Sequence, residues 1–235
     1  MFSDRYGLTQ AVLDGKKTMT RRIIPIGLYN QTDWKAVEEG DYEAVVDGNG
    51  DYHDIRCCGR YRIGEEVALA QCYEECWKFY QQQWESPKDP SDCRTAECLD
   101  ILVDLVGLTP GWNNKMFVRA DLMPHRIRIT GIKVEKLQDI SIEDCEKEGI
   151  IHVNWKQYLK QDIDDFSPQP YKDHNIWTLP IFEESFLDSW AEQKQGEFAA
   201  VSPDIAFAVL IDNISGKGTW MRNPWVFAYE FELIK

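Results

Sequence analysis

Apolar positions at the start of the chain follow a helical period. Leu8, Ala11 and Val12 share one face over residues 6–14, and Gly15 supplies a stop. Residues 17–24 then alternate, with Thr18, Thr20 and Arg22 on one side, which predicts a strand. Lys17 therefore sits at a helix-to-strand turn. Residues 42–46 and 51–55 flank Asp47-Gly48-Asn49-Gly50 in a hairpin pattern. Residues 64–70 read as a turn leading into another strand, and residues 125–137 return to strand character. Ser141-Ile142-Glu143-Asp144 is a capping-box helix start, and Gly149 is its stop. Helices follow near 181–195 and 203–213, and a final strand runs over 225–233.

Two stretches interrupt this pattern. Residues 73–115 are aromatic, acidic and irregular, broken by Pro87, Pro90 and Pro110, with one helical piece near 95–106. Residues 155–180 are broken by Pro168, Pro170 and Pro180. The organisation expected is a single domain over 1–235, carrying insertions at about 73–115 and 155–222. Strands gathered at both ends with helices between predict an α+β domain on a small closed sheet. Pairing the last strand with an early one would close its edges.

Composition narrows the class. At roughly 150 residues per domain, the length fits one domain with insertions. The chain has 235 residues, 26 basic against 40 acidic, a net charge of -14, and is 43% apolar. That apolar fraction is too high for disorder, and no run nears the roughly 18 apolar residues that span a bilayer. The first ten residues lack the basic start and apolar stretch of a secretory leader. Seven cysteines, an odd number, then predict free thiols in a reducing cytoplasm. Cys72 and Cys76 have the spacing of one helix face, but no CxxC and no histidine pair at ligand spacing accompany them. The expectation is thiols without metal, and no cofactor.

The acidity is concentrated. Residues 73–104 hold eight acidic and three basic residues, a net of -5, and residues 161–192 hold eight and one, a net of -7. The remaining 171 residues carry only -2. Within them stand two basic clusters, Lys16-Lys17-Thr18-Met19-Thr20-Arg21-Arg22 and Arg119 with His125-Arg126-Ile127-Arg128. Each is either a solvated strand face or an anion site in an otherwise acidic protein.

Familiar motifs mostly fail. The run from Asp47 to Asp51 resembles a calcium loop, but Tyr52 stands where its glycine belongs and Cys58 where its glutamate belongs. Gly216-Lys217-Gly218-Thr219 resembles a phosphate loop whose first glycine is replaced by Ile211. No GxSxG occurs. Of nine tryptophans, Trp177, Trp190, Trp220 and Trp225 recur in the last third; most belong to a core, though one at a cleft rim could stack on a base. Lys17, Thr20 and Glu148 remain as candidates. Glu148 falls in the last turn of its helix, where the macrodipole disfavours a carboxylate unless a cation lies nearby.

Leu13-Asp14-Gly15-Lys16-Lys17-Thr18-Met19-Thr20-Arg21-Arg22 resembles the opening motif of the ASCH domain family, in the PUA-like superfamily. Arg128-Ile129-Thr130-Gly131, the run Leu137 to Asp144, Glu148-Gly149 and Asn223-Pro224-Trp225-Val226 agree with it. The chain is similar to the long, prophage-associated ASCH-like proteins of bacteria. That resemblance implies a PUA-like β-barrel with flanking helices and a cleft between the basic turn and the helix end. It implies RNA or a modified nucleoside as partner, and no membrane. Small family members hydrolyse the amide of N4-acetylcytidine, with lysine, threonine and glutamate at the positions of Lys17, Thr20 and Glu148. Lys16, Arg21, Arg22, Arg126 and Arg128 are the candidate substrate contacts. Lys17 would act as base, with Thr20 or a water as nucleophile. Arg21 and Arg22 would depress the lysine by repulsion. Glu148, protonated, would donate to the leaving nitrogen; ionised, it would raise Lys17. The alternatives are a non-catalytic RNA-binding or regulatory module of prophage origin and a ribonuclease-like activity in the same cleft. The sequence leaves the oligomeric state open.

Overall fold

The computed structural model describes residue 2 and residues 4–85, 93–154, 175–178 and 202–234. In chain order these form α1 (Leu8–Leu13), β1 (Met19–Ile23), α2 (Ile26–Tyr29), α3 (Trp34–Glu38), β2 (Glu43–Val46), β3 (Tyr52–Asp54) and β4 (Glu66–Ala68). There follow α4 (Tyr73–Glu85), α5 (Cys93–Leu105), β5 (Arg126–Lys136), α6 (Ile142–Lys147), β6 (Ile151–Asn154) and β7 (Asn175–Thr178). The last elements are α7 (Pro203–Ser215), α8 (Thr219–Arg222) and β8 (Trp225–Ile234).

The protein is a mixed α+β chain whose principal sheet has the order β1-β8-β5-β4 and curls into an antiparallel half-barrel. β8 sits between β1 and β5, so the pairing of the last strand with an early one is observed, Met19 lying opposite Glu230 and Ile23 opposite Val226. Its first five residues are buried, as suits a strand covered on both faces. β2 and β3 form the expected hairpin. Asp47 Oδ1 holds its turn, accepting from the backbone N–H groups of Asn49 and Asp51 at 2.8 and 3.0 Å. β6 pairs antiparallel with β7.

The chain divides into two compact units. One is chiefly Glu66–Arg128. Here β4 pairs with the start of β5, Glu66 opposite Arg128, and α4 and α5 bury Tyr73, Cys76, Tyr80, Cys98 and Leu102 with Leu122 and Met123. The first half of this stretch is more regular than its sequence suggested. Tyr73, Cys76, Trp77 and Tyr80 recur at helical spacing, and they form the packed face of a 13-residue helix in place of the irregular segment. The helix expected near 95–106 is present as α5. The other unit comprises Ser3–Glu65 and Ile129–Glu232 and holds β1, β8 and most of β5. The helix expected at 203–213 is α7. The helix expected at 181–195, Trp190, and most of the second acidic segment lie outside the described residues.

Local signals at the two predicted helix stops hold. Gly15 and Gly149 adopt φ +72° and +97°, a region that glycine enters without strain. Ser141 Oγ accepts from the Asp144 backbone N–H at 3.1 Å and so caps α6. The loop resembling a phosphate loop is already filled from within. Asp212 takes its amides, Oδ2 accepting from Gly218 N–H at 2.9 Å and Oδ1 from Trp220 N–H at 2.8 Å. Among the described residues, no helix is long and apolar enough to cross a membrane.

Candidate functional site

The turn after α1 delivers Lys17 to a site built from both ends of its unit. Its backbone N–H bonds Ala11 O at 2.9 Å, and the Thr18 N–H bonds Lys147 O at 2.8 Å, which ties the turn to the end of α6. The Lys17 amine then donates to Glu148, 131 positions away, through the side-chain Oε2 at 2.6 Å and the main-chain oxygen at 2.7 Å. Gly149 follows directly in the left-handed region at φ +97°, and its backbone packs against the Lys17 side chain, where an added Cβ would stand at an ordinary 3.5 Å from Lys17 Cβ.

β1 extends the site by alternation. Successive strand side chains point to opposite faces, so Met19 and Arg21 share one face and Thr20 and Arg22 the other. Arg21 carries the larger share of the contacts. Its guanidinium donates to Glu135 Oε1 from Nη2 at 2.6 Å and Nε at 3.0 Å, to Asp144 Oδ2 at 2.9 Å and to Glu148 Oε1 at 3.2 Å. Its Nη1 also lies 3.2 Å from Met19 Sδ, and the Phe207 ring of α7 lies 5.8 Å from the guanidinium carbon. Lys133 approaches Asp144 at 3.5 Å, and Lys147 approaches Asp144 at 3.5 Å and Glu230 at 3.2 Å. Among the described residues, four cations (Lys17, Arg21, Lys133, Lys147) thus meet four carboxylates (Glu135, Asp144, Glu148, Glu230). Lys17, Arg21, Asp144 and Glu148 form the buried part of this network, each paired with an opposite charge as buried charges require, and Lys133, Lys147 and Glu230 stand at its partly exposed rim.

Burial sets the electrostatics. Lys17 is 2% exposed, Arg21 3% and Glu148 4%. Burial pushes the Lys17 amine below its ordinary value, and the repulsion of Arg22 and Arg21 adds to this, against the pull of the Glu148 carboxylate. For Arg21, burial works against the charged form, but Glu148, Glu135 and Asp144 together outweigh it and raise the group. Asp144 is pushed up by burial yet ends below the usual carboxylate range, held there by the Arg21 hydrogen bond and the charges of Arg21, Lys133 and Lys147. The cation that the helix-end argument required beside Glu148 is present twice, as Lys17 on Oε2 and Arg21 on Oε1.

Lys17 and Glu148, then, are brought together, and Thr20 is not joined to them. It is buried, opposite Tyr229, on the other face of β1, and no hydrogen bond connects it to Lys17 or Glu148 among the described residues. Arg21 is an interior ion-pair hub and not an open substrate contact. Lys16 is exposed beside the turn, and Arg22 is half-buried on the Thr20 face. Arg126 and Arg128 belong to the other unit, Arg128 paired with Glu66 at 3.0 Å. Among the tryptophans, Trp225 is buried, with Trp34 stacked on it at 4.6 Å and the Lys136 amine 4.7 Å from its ring centroid. Sequence reasoning missed Glu135, Asp144, Lys133, Lys147 and Glu230. The available signal was the odd-numbered half of the alternation, Lys17-Met19-Arg21, which places the cation Arg21 on the face that carries Met19. Among the described residues, no group of three or more histidine, cysteine or carboxylate side chains is placed to hold a metal ion. Comparison with protein-family models, with curated proteins and with solved structures finds no match to this chain.

Proposed function

We propose that the protein recognises RNA or a modified nucleoside and hydrolyses an N4-acylcytidine amide, with Lys17 as the general base. The observation that supports this reading is the Lys17–Glu148 contact, which joins residues 131 positions apart in a buried site that weakens the hold of the amine on its proton. Because Thr20 faces away, water is the nucleophile in this scheme. Lys17 takes one proton from water as its oxygen adds to the acyl carbonyl. The tetrahedral intermediate collapses with cleavage of the C–N4 bond, and Lys17 returns the proton to the leaving nitrogen. The products are the carboxylic acid and the cytosine amine. Glu148, with both oxygens occupied by cations, positions Lys17 and does not supply the proton. Lys17 lies 2% exposed, so in this scheme the substrate enters the enclosed site to meet the amine where burial holds it below its ordinary value.

That same burial favours a second reading, a non-catalytic RNA-binding module in which the pair is structural. Turnover of N4-acetylcytidine by the purified protein separates the two. Hydrolysis abolished by Lys17→Ala, with the variant still folded, supports the enzyme. Salt-sensitive RNA binding without turnover supports the module, and RNA cleavage lost in the same variant would point to a ribonuclease-like activity.

A further inference from the structure

The loop between β3 and β4 carries three arginines in seven positions, Arg56, Arg60 and Arg62, with no acidic residue from Ile55 to Gly64. In a chain of net charge -14 this is a local reversal of sign. The three are not equivalent. Arg56 is spent on Asp54, its Nε donating to Oδ1 at 3.0 Å alongside an Nη2 contact to Oδ2. Arg60 and Arg62 are exposed, and among the described residues neither guanidinium has a carboxylate partner.

Both are held in place nonetheless. The Arg60 backbone N–H donates to the hydroxyl of Tyr229 at 3.0 Å. Tyr229 is fully buried in the central strand β8, so the loop is pinned to the most enclosed strand of the sheet. Gly59 is needed for this seating, because a Cβ there would stand 2.5 Å from the Tyr229 oxygen. Arg62 closes the turn by donating from Nη1 to Gly59 O at 2.6 Å, and Glu65 Oε2 accepts from its backbone N–H at 2.8 Å. The Arg60 guanidinium lies 5.5 Å from the Tyr61 ring, which itself packs edge-on against Tyr229 at 5.3 Å.

We infer that the Gly59–Arg62 loop is a docking point for the backbone of single-stranded RNA, with Arg60 and Arg62 each taking a phosphate. A planar guanidinium whose stem is already ordered loses little freedom on meeting phosphate oxygens. The interleaved Tyr61, half-buried, adds a ring of the kind on which bases stack, which favours RNA over an acidic peptide. The inference rests on the RNA reading above for its choice of ligand and adds where the strand is held.

The test is fluorescence anisotropy of a labelled single-stranded ten-nucleotide RNA with the full chain, titrated from low to moderate salt. The wild type binds with an affinity that falls as salt rises. Arg60→Ala/Arg62→Ala loses the Arg62–Gly59 hydrogen bond but keeps the Arg60 backbone tie to Tyr229, so it should melt within about 4 °C of the wild type; it binds about tenfold more weakly, and its log–log salt slope is shallower by about 1.4, or 0.7 per phosphate lost. Arg119→Ala, which removes a charge bound to Asp121 at 2.6 Å, leaves both unchanged. Absence of RNA binding by the wild type, or a double variant with unaltered affinity and slope, overturns the inference. So does polyglutamate that binds as tightly as RNA and is lost in the same variant. RNA binding without turnover of N4-acetylcytidine removes the hydrolytic proposal and leaves this one; turnover without RNA binding does the reverse.

Discussion

Glu148→Gln strikes the centre of the buried network while preserving side-chain volume. In the native protein both carboxylate oxygens meet a cation, Lys17 at 2.6 Å and Arg21 at 3.2 Å. The substitution leaves Arg21 with Glu135 and Asp144, and leaves Lys17 with the main-chain oxygen at 2.7 Å but without the carboxylate. Removing one member of a buried pair costs about 3–5 kcal/mol. The lysine sets a ceiling, because it can shed its proton. From the ordinary value of 10.5 down to pH 7, at about 1.4 kcal/mol per pH unit, neutralisation costs about 5 kcal/mol. The acceptors that remain place the effect near the lower end, about 3 kcal/mol, or about 6–12 °C in Tm for a chain of this size. Lys17→Met/Glu148→Gln, which leaves neither member behind, should recover about 1.5–3 kcal/mol relative to the sum of the two single changes. Thermal and urea unfolding followed by circular dichroism measure all four proteins. The pH dependence carries an independent sign. A lysine lowered by folding binds fewer protons in the native state, so stability should rise with pH in the window that ends at 10.5, and Lys17→Met should abolish that rise. A drop of less than 2 °C in Glu148→Gln, or strictly additive single changes, would mean that Lys17 and Glu148 do not stabilise the fold as a pair.

Two further outcomes follow from neighbouring contacts. Asp144 is lowered in the native protein, so its share of stability is full above the ordinary carboxylate value of 3.8 and is lost as pH falls through its folded value; acid titration of Asp144→Asn should show a shallower loss than the wild type. Gly59→Ala forces a Cβ to within 2.5 Å of the Tyr229 oxygen and should cost about 1–3 kcal/mol in urea unfolding, a penalty smaller when Tyr229→Phe is already in place.

What could be read from the sequence was local. The α1 helix, its Gly15 stop, the alternation through β1, the Asp47 hairpin and the Ser141 cap each depend on residues within a few positions of one another, and each is present. The meeting of Lys17 with Glu148 came from the family resemblance and not from spacing. The rest of the network was hidden because its members, Arg21 with Glu135 and Asp144, are brought together only by the curl of the sheet. Arg21 is the instructive case: as one of four cations in a run of seven it looked like a solvated anion contact, yet it shares the inward face with Met19. Helix α4 was obscured by its aromatic and acidic composition, although its buried residues keep helical spacing.

The position of β8 has a consequence for how the chain is made. Met19 finds its partner at Glu230, and β5 flanks the same strand from the other side. During synthesis the first strand must wait, unsheltered, for nearly the whole of the remaining polypeptide to emerge before its neighbour exists. Closure of so large a loop favours slow maturation and a long exposure of the bare edge. A nascent chain stalled before Trp225 would hold helices α1, α4 and α5 without the strand that unites its principal sheet.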